Sequence, residues 1–183
     1  MKVALDLLAI LAFLGAFDTL HYHEWQAKLP LLGVKAKSEL RLHALRDFVY
    51  AALFATLPWI AWQGRYVILL CGLFLCEIVL TLWDFVVEYW VRKQLGGLYQ
   101  GESVMHGVMG IVYGAIIANM LPVMNLWWHE SSGLIFAPAA SATLRWTMVV
   151  MAAGVLVSGI RDLYAATGLP GSAWPWARND RSN

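Results

Sequence analysis

The sequence predicts an all-α protein, a polytopic membrane bundle of about five transmembrane helices. Three observations predict it. Sixty per cent of the 183 residues are hydrophobic and only 14% are charged, whereas a soluble domain carries about a quarter charged residues. Apolar runs long enough to cross a bilayer recur between sharp breaks; a span needs about 20 such residues. Ten tryptophans are present, and several flank those runs as interfacial anchors do. No long linker or low-complexity tract divides the chain, so residues 1–183 read as one domain.

The elements follow in order. Helix 1 is expected from about Val3 to Glu24, helix 2 from Ser38 to Trp62 and helix 3 from Tyr66 to Val91. Helix 4 is expected from Gly101 to Leu126 and helix 5 from Leu144 to Ala166. Pro30 with Gly33, Gln63-Gly64, Gly96-Gly97, the stretch from Ser131 to Ser141, and Gly168-Leu169-Pro170 mark the breaks. Asp6 interrupts the first apolar run and no small-x-small site precedes Asp18, so helix 1 reads as a retained span, not a cleaved leader. Cys71 and Cys76 are five apart inside an apolar run and read as packing residues.

Basic residues set the expected orientation. Lys28, Lys35, Lys37, Arg41 and Arg46 cluster around the first connection and the start of helix 2. Arg92 and Lys93 lie in the third connection, and Arg161, Arg178 and Arg181 lie at the C-terminal end. The opposite side carries only Lys2, Arg65 and Arg145. The expectation is an inner (plasma) membrane of bacterial type, with the N-terminus outside and the tail, 167–183, in the cytoplasm. Trp174 and Trp176 would anchor that tail at the inner interface. The net charge of +1 gives no reason to expect a nucleic-acid partner.

Up-and-down threading then gathers the ionisable residues at the inner helix ends. Asp18, His21, His23 and Glu24 close helix 1, and Glu39, His43 and Asp47 open helix 2. Asp84 and Glu88 close helix 3, Glu102 and His106 open helix 4, and Asp162 closes helix 5. At 3.6 residues per turn, Glu39, His43, Arg46, Asp47 and Tyr50 share a stripe. So do Glu77, Asp84 and Glu88, and likewise Glu102, His106 and Tyr113. On helix 1 the same period selects Asp18 with His21. His129 and Glu130 fall on the outer side and read as solvated.

Residues 3–62 and 66–126 also look like a parallel repeat. Glu39-x-x-x-His43 and Glu102-x-x-x-His106 stand in register, each followed by a tyrosine, Tyr50 or Tyr113, seven residues after the histidine. Asp18 and Asp84 match upstream. A pseudo-twofold axis along the membrane normal would bring the two stripes together in a four-helix core, with helix 5, 144–166, peripheral to it.

Carboxylates mixed with imidazoles suit iron, manganese or zinc. The expectation is a di-metal, di-iron-like site at the cytoplasmic helix ends, held by Asp18, His21, Glu24, Glu39, His43, Asp84, Glu88, Glu102 and His106, with iron the favoured metal. The pattern resembles in logic the four-helix bundles that hold two metals, though their Glu-x-x-His spacing is one residue shorter, so the likeness is one of ligand pattern. The function expected is a metal-dependent enzyme acting on a lipid-soluble molecule from the bilayer, an oxidoreductase if iron is bound and a hydrolase using metal-activated water if zinc is bound. Tyr50, Tyr113 and Glu77 are candidates for a catalytic part. Two alternatives stand beside it. One is a b-type haem protein using His43 and His106, with Gly107 and Gly110 leaving room for the macrocycle. The other is a proton or cation carrier using Glu77, which with one deep charge would need a homo-oligomer.

Overall fold

A computed structural model describes residues 1–93 and 96–172; Trp174, Trp176, Arg178 and Arg181 lie outside the described residues. The chain is mostly helical. α1 spans Lys2–Phe17 and continues without interruption as a π-helical segment, Asp18–Gln26. After a left-handed Lys28, α2 (Leu29–Leu32) and a 3-10 turn (Gly33–Ala36) lead into α3, Lys37–Thr56. Then come β1 (Ile60–Gln63), α4 (Tyr66–Lys93), α5 (Gln100–Trp128), β2 (Gly133–Phe136) and α6 (Ala142–Thr167).

Among the described residues, four helices are long and apolar enough to cross a membrane: Lys2–Gln26, Tyr66–Lys93, Gln100–Trp128 and Ala142–Thr167. Their large apolar side chains point outward in numbers, among them Ile10, Leu75, Trp83, Ile111 and Val150, a surface suited to lipid and not to water. The helix expected at Ser38–Trp62 differs. α3 carries Lys37, Glu39, Arg41, Arg46 and Asp47, and its apolarity falls short of a span. It also stops at Thr56, because Pro58 cannot continue a helix. Ile60–Gln63 becomes a strand, not the last turn of that helix, and pairs antiparallel with Gly133–Phe136.

α3 is sheltered. α4 packs on one side of it and α6 along another, while α1 packs against α5. The expectation of a peripheral fifth helix needs correcting to this extent: α6 lies closely along α3, and Gly159 permits the approach. A Cβ there would stand 3.0 Å from Asp47 Cβ and 3.2 Å from the Ala44 carbonyl. The apolar core, including Leu5, Leu8, Leu53, Leu70, Ile116 and Met148, fills the part of the bundle away from the acidic helix ends.

Candidate metal centre

The first apolar helix delivers its polar end through the π-helical turn. Hydrogen bonds there run from residue i+5 to residue i, as from Ala27 N–H to the Tyr22 carbonyl at 2.8 Å. Residues five apart then share a face. Asp18 and His23 are both buried and face inward together, while His21 turns aside against Gln26, with Nε2 atoms 2.8 Å apart, and stacks on Phe17. The 3.6-residue period selects His21; the wider turn selects His23.

His23 meets residues from α4 and α5. His23 with Glu88, Glu102 and His106 forms a buried group whose ligand atoms all lie within 4.8 Å of one another. His106 Nε2 is 3.2 Å from Asp18 Oδ2, and its Nδ1 is 3.4 Å from Glu88 Oε2. His23 Nε2 lies 3.2 Å from Glu102 Oε1 and 3.5 Å from Asp18 Oδ2, yet is aligned for a hydrogen bond with neither. Asp18 Oδ1, Glu88 Oε1 and Glu102 Oε2 are also buried without a hydrogen-bond partner. Buried polar atoms are nearly always satisfied. His106 Nε2 hydrogen-bonds Asp18 Oδ2, while His23, Asp18, Glu88 and Glu102 each keep one buried atom unpartnered beside it, a donor set that suits a cation. The group can hold a metal ion.

Charge balance points the same way. Among the described residues, eight carboxylates are buried: Asp18, Glu24, Glu39, Glu77, Asp84, Glu88, Glu102 and Asp162. The guanidiniums among them are Arg92, fully buried, and Arg46 and Arg161, partly so. Buried charges need partners, and three guanidiniums leave the carboxylates in excess.

Arg92 is the residue that sequence reasoning misplaced. It reads as a connecting-loop charge that fixes orientation, but it ends α4 inside the cluster. Its Nε donates to Glu39 Oε1 at 2.8 Å and its Nη2 to Glu102 Oε1 at 3.0 Å, with Glu88 at 3.9 Å. The available signal was the four-residue step from Glu88 to Arg92 on one helical face. The two Glu-x-x-x-His stripes thus meet through a guanidinium.

The remaining expected residues form satellites. His43 Nε2 is 3.3 Å from Asp84 Oδ2, and Arg46 Nη1 donates to that same oxygen at 2.7 Å. The His43 ring stacks on His23 with centroids 4.5 Å apart. Glu24 pairs with Arg161, which also reaches Asp162 at 2.8 Å. Deeper in the bundle, Tyr50 donates to Glu77 Oε1 at 2.6 Å, Thr81 donates to the same atom, and Arg46 Nη2 stands 3.7 Å away. Tyr113 donates to the Phe74 carbonyl at 3.1 Å. Cys71 and Cys76 are exposed, on the apolar outer face of α4.

Compared with protein families, curated proteins and solved structures, the chain matches none.

Proposed function

We propose that the protein is an integral membrane metalloenzyme that binds one metal through His23, Glu88, Glu102 and His106 and acts on a lipid-soluble molecule. The observation that carries the reading is the convergence of these four buried side chains, three of which, His23, Glu88 and Glu102, keep an unpartnered atom. Two imidazoles and two carboxylates, with Asp18 beside His106 as a fifth oxygen donor, suit iron or manganese better than four-coordinate zinc. Asp18 and Glu88 each approach a different nitrogen of His106, so one nitrogen can face the metal while a carboxylate holds the other. A bound redox metal would supply oxidising chemistry at the end of the bundle.

Taken with the repeat expected from sequence, the ion pairs favour one metal over two. Asp18 pairs with His106 as Asp84 pairs with His43, the exchange a twofold relation between the helix pairs would produce. In the Asp84 half, Arg46 supplies the positive charge. In the Asp18 half, Met109 occupies the register position of Arg46 and brings none. One half carries an internal cation, and the other is left for a metal. A haem between His43 and His106 fits poorly, because His23 stacks on the first and stands edge-on to the second at 6.2 Å.

Metal analysis of the purified protein with an optical spectrum tests the reading. The expected result is one iron or manganese per chain and no Soret band. Protein that carries no metal after expression and reconstitution with iron, manganese and zinc in turn would overturn it.

A further inference from the structure

Beside the metal centre, α1, α3 and α6 enclose a cleft of about 260 Å³. Leu11, Ala12, Gly15, Phe54, Met151 and Gly154 line its apolar length. Two of its lining residues, Leu20 and Gly154, are exposed on the apolar helices, and a side chain at Gly154 would meet nothing within 4 Å. Its polar lining comprises Asp18, His23, His43, Arg46, Asp47 and Asp162. Five of these present buried atoms without hydrogen-bond partners, namely Asp18 Oδ1, His23 Nε2, His43 Nε2, Arg46 Nε and Asp162 Oδ1. Pockets for drug-sized ligands hold roughly 300–1,000 Å³. This smaller, elongated volume fits one alkyl chain and excludes a two-chain lipid or a fused ring system.

We propose that this cleft is the substrate site and takes a single-chain amphiphile with a hydrogen-bond-donating head, a hydroxyl or an ammonium, in preference to a carboxylate. The polar lining decides the head. Asp18, Asp47 and Asp162 supply negative charge, with Asp18 Oδ1 and Asp162 Oδ1 as acceptors lacking hydrogen-bond partners, while the cations there face carboxylates of α4: Arg46 meets Asp84 at 2.7 Å and Glu77 at 3.7 Å, and His43 meets Asp84 at 3.3 Å. A carboxylate head would meet like charge in a low-dielectric pocket; a donor head completes the acceptors. The chain would enter from the bilayer past Gly154 and bring its head beside His23, a metal ligand in the reading above, on which this inference rests for its chemistry alone.

The test uses the full chain in phosphatidylcholine nanodiscs with a diazirine-tagged long-chain alcohol. Cross-links should map to α1 and α6 around Gly15 and Gly154. Dodecanol and dodecylamine should compete, and dodecanoate should need about tenfold more for the same effect, the ratio that 1.4 kcal/mol produces. Gly154→Phe should cut labelling about tenfold while metal content stays unchanged. Labelling insensitive to Gly154→Phe, or dodecanoate competing as well as dodecanol, would overturn the proposal. Metal content is measured on the same samples. Labelling without metal sinks the metal reading alone, and metal without labelling sinks this inference alone.

Discussion

At the scale of single residues, His23 and His21 pose the sharpest contrast. They are two residues apart, equally capable of ligating, and the geometry of one turn separates their fates. His23→Gln should lower metal content strongly, and His21→Gln should leave it unchanged, since His21 is occupied by Gln26 and Phe17. Equal losses in the two variants would show that the π-helical register does not choose the ligand. Asp18→Asn keeps the size of the side chain but weakens its hold on His106; loss of such a supporting carboxylate costs about 10–100-fold in metal affinity, measurable by competition with a chelator. Arg92 differs in kind. It joins Glu39 and Glu102, so Arg92→Met leaves both buried carboxylates uncompensated. Breaking a buried ion pair on one side costs about 3–5 kcal/mol, so this variant should be recovered folded in far lower yield. The residue types of the site were legible from sequence, because nine acids and four histidines fall near helix ends of one side. The individual choices were not, because period and threading give a face and a depth, while the pairings depend on where Arg46 and Arg92 extend their long side chains.

At the scale of elements, the long apolar helices were legible to within two or three residues, since 18 or more apolar residues leave few alternatives. The π-helical segment was hidden because Asp18–Gln26 carries no proline or glycine to mark it; such turns recur at functional sites. The strands were hidden too. Ile60–Gln63 continues the apolar run of α3 beyond Pro58, and its partner lies some 70 residues away, a pairing no local pattern reveals. α3 itself is the element most dependent on its neighbours. Its charged stripe tolerates the interior because α4 brings Asp84 and Arg92 to it and α6 covers its other flank. The α3–α6 contact at Gly159 is therefore the place to perturb the cluster without touching a ligand. Gly159→Val must push against the Ala44 carbonyl and the Phe48 ring; overpacking of this sort costs about 1–3 kcal/mol. Thermal unfolding in detergent should show a lower Tm, while Gly72→Val, with nothing within 4 Å, should not. Equal Tm values for the two variants would mean that α6 does not brace α3.

At the scale of the whole molecule, every polar residue of the centre sits at one end of the bundle. The end of the π-helical segment, the start of α3, the end of α4, the start of α5 and the end of α6 meet there. The paired strands close the opposite end. Gly64 belongs to that closure: its N–H donates to the Trp127 carbonyl at 2.8 Å, its φ is +55°, and a Cβ would lie 2.6 Å from Ser132 Cα. The connections at Gly64 and Ser132 must therefore share a side, whichever side that is. This coupling makes the topology testable although α3 is too polar to count as a span by composition. If α3 crosses, reporters fused after Gly64 and Ser132 should both read outside and a reporter after Gly96 should read inside, in keeping with the lysines and arginines between α1 and α3. α3 has 20 residues, about 30 Å at 1.5 Å per residue, which matches the hydrocarbon thickness. Its charges need not face lipid while α4 and α6 flank it, and Arg46 and Arg92 balance part of the acid. The reporter after Gly64 decides the matter. Reading it inside, with Gly96 outside, would mean that α3 does not cross while α4 does, and the acidic ends of α3 and α4 could not then meet at one membrane surface.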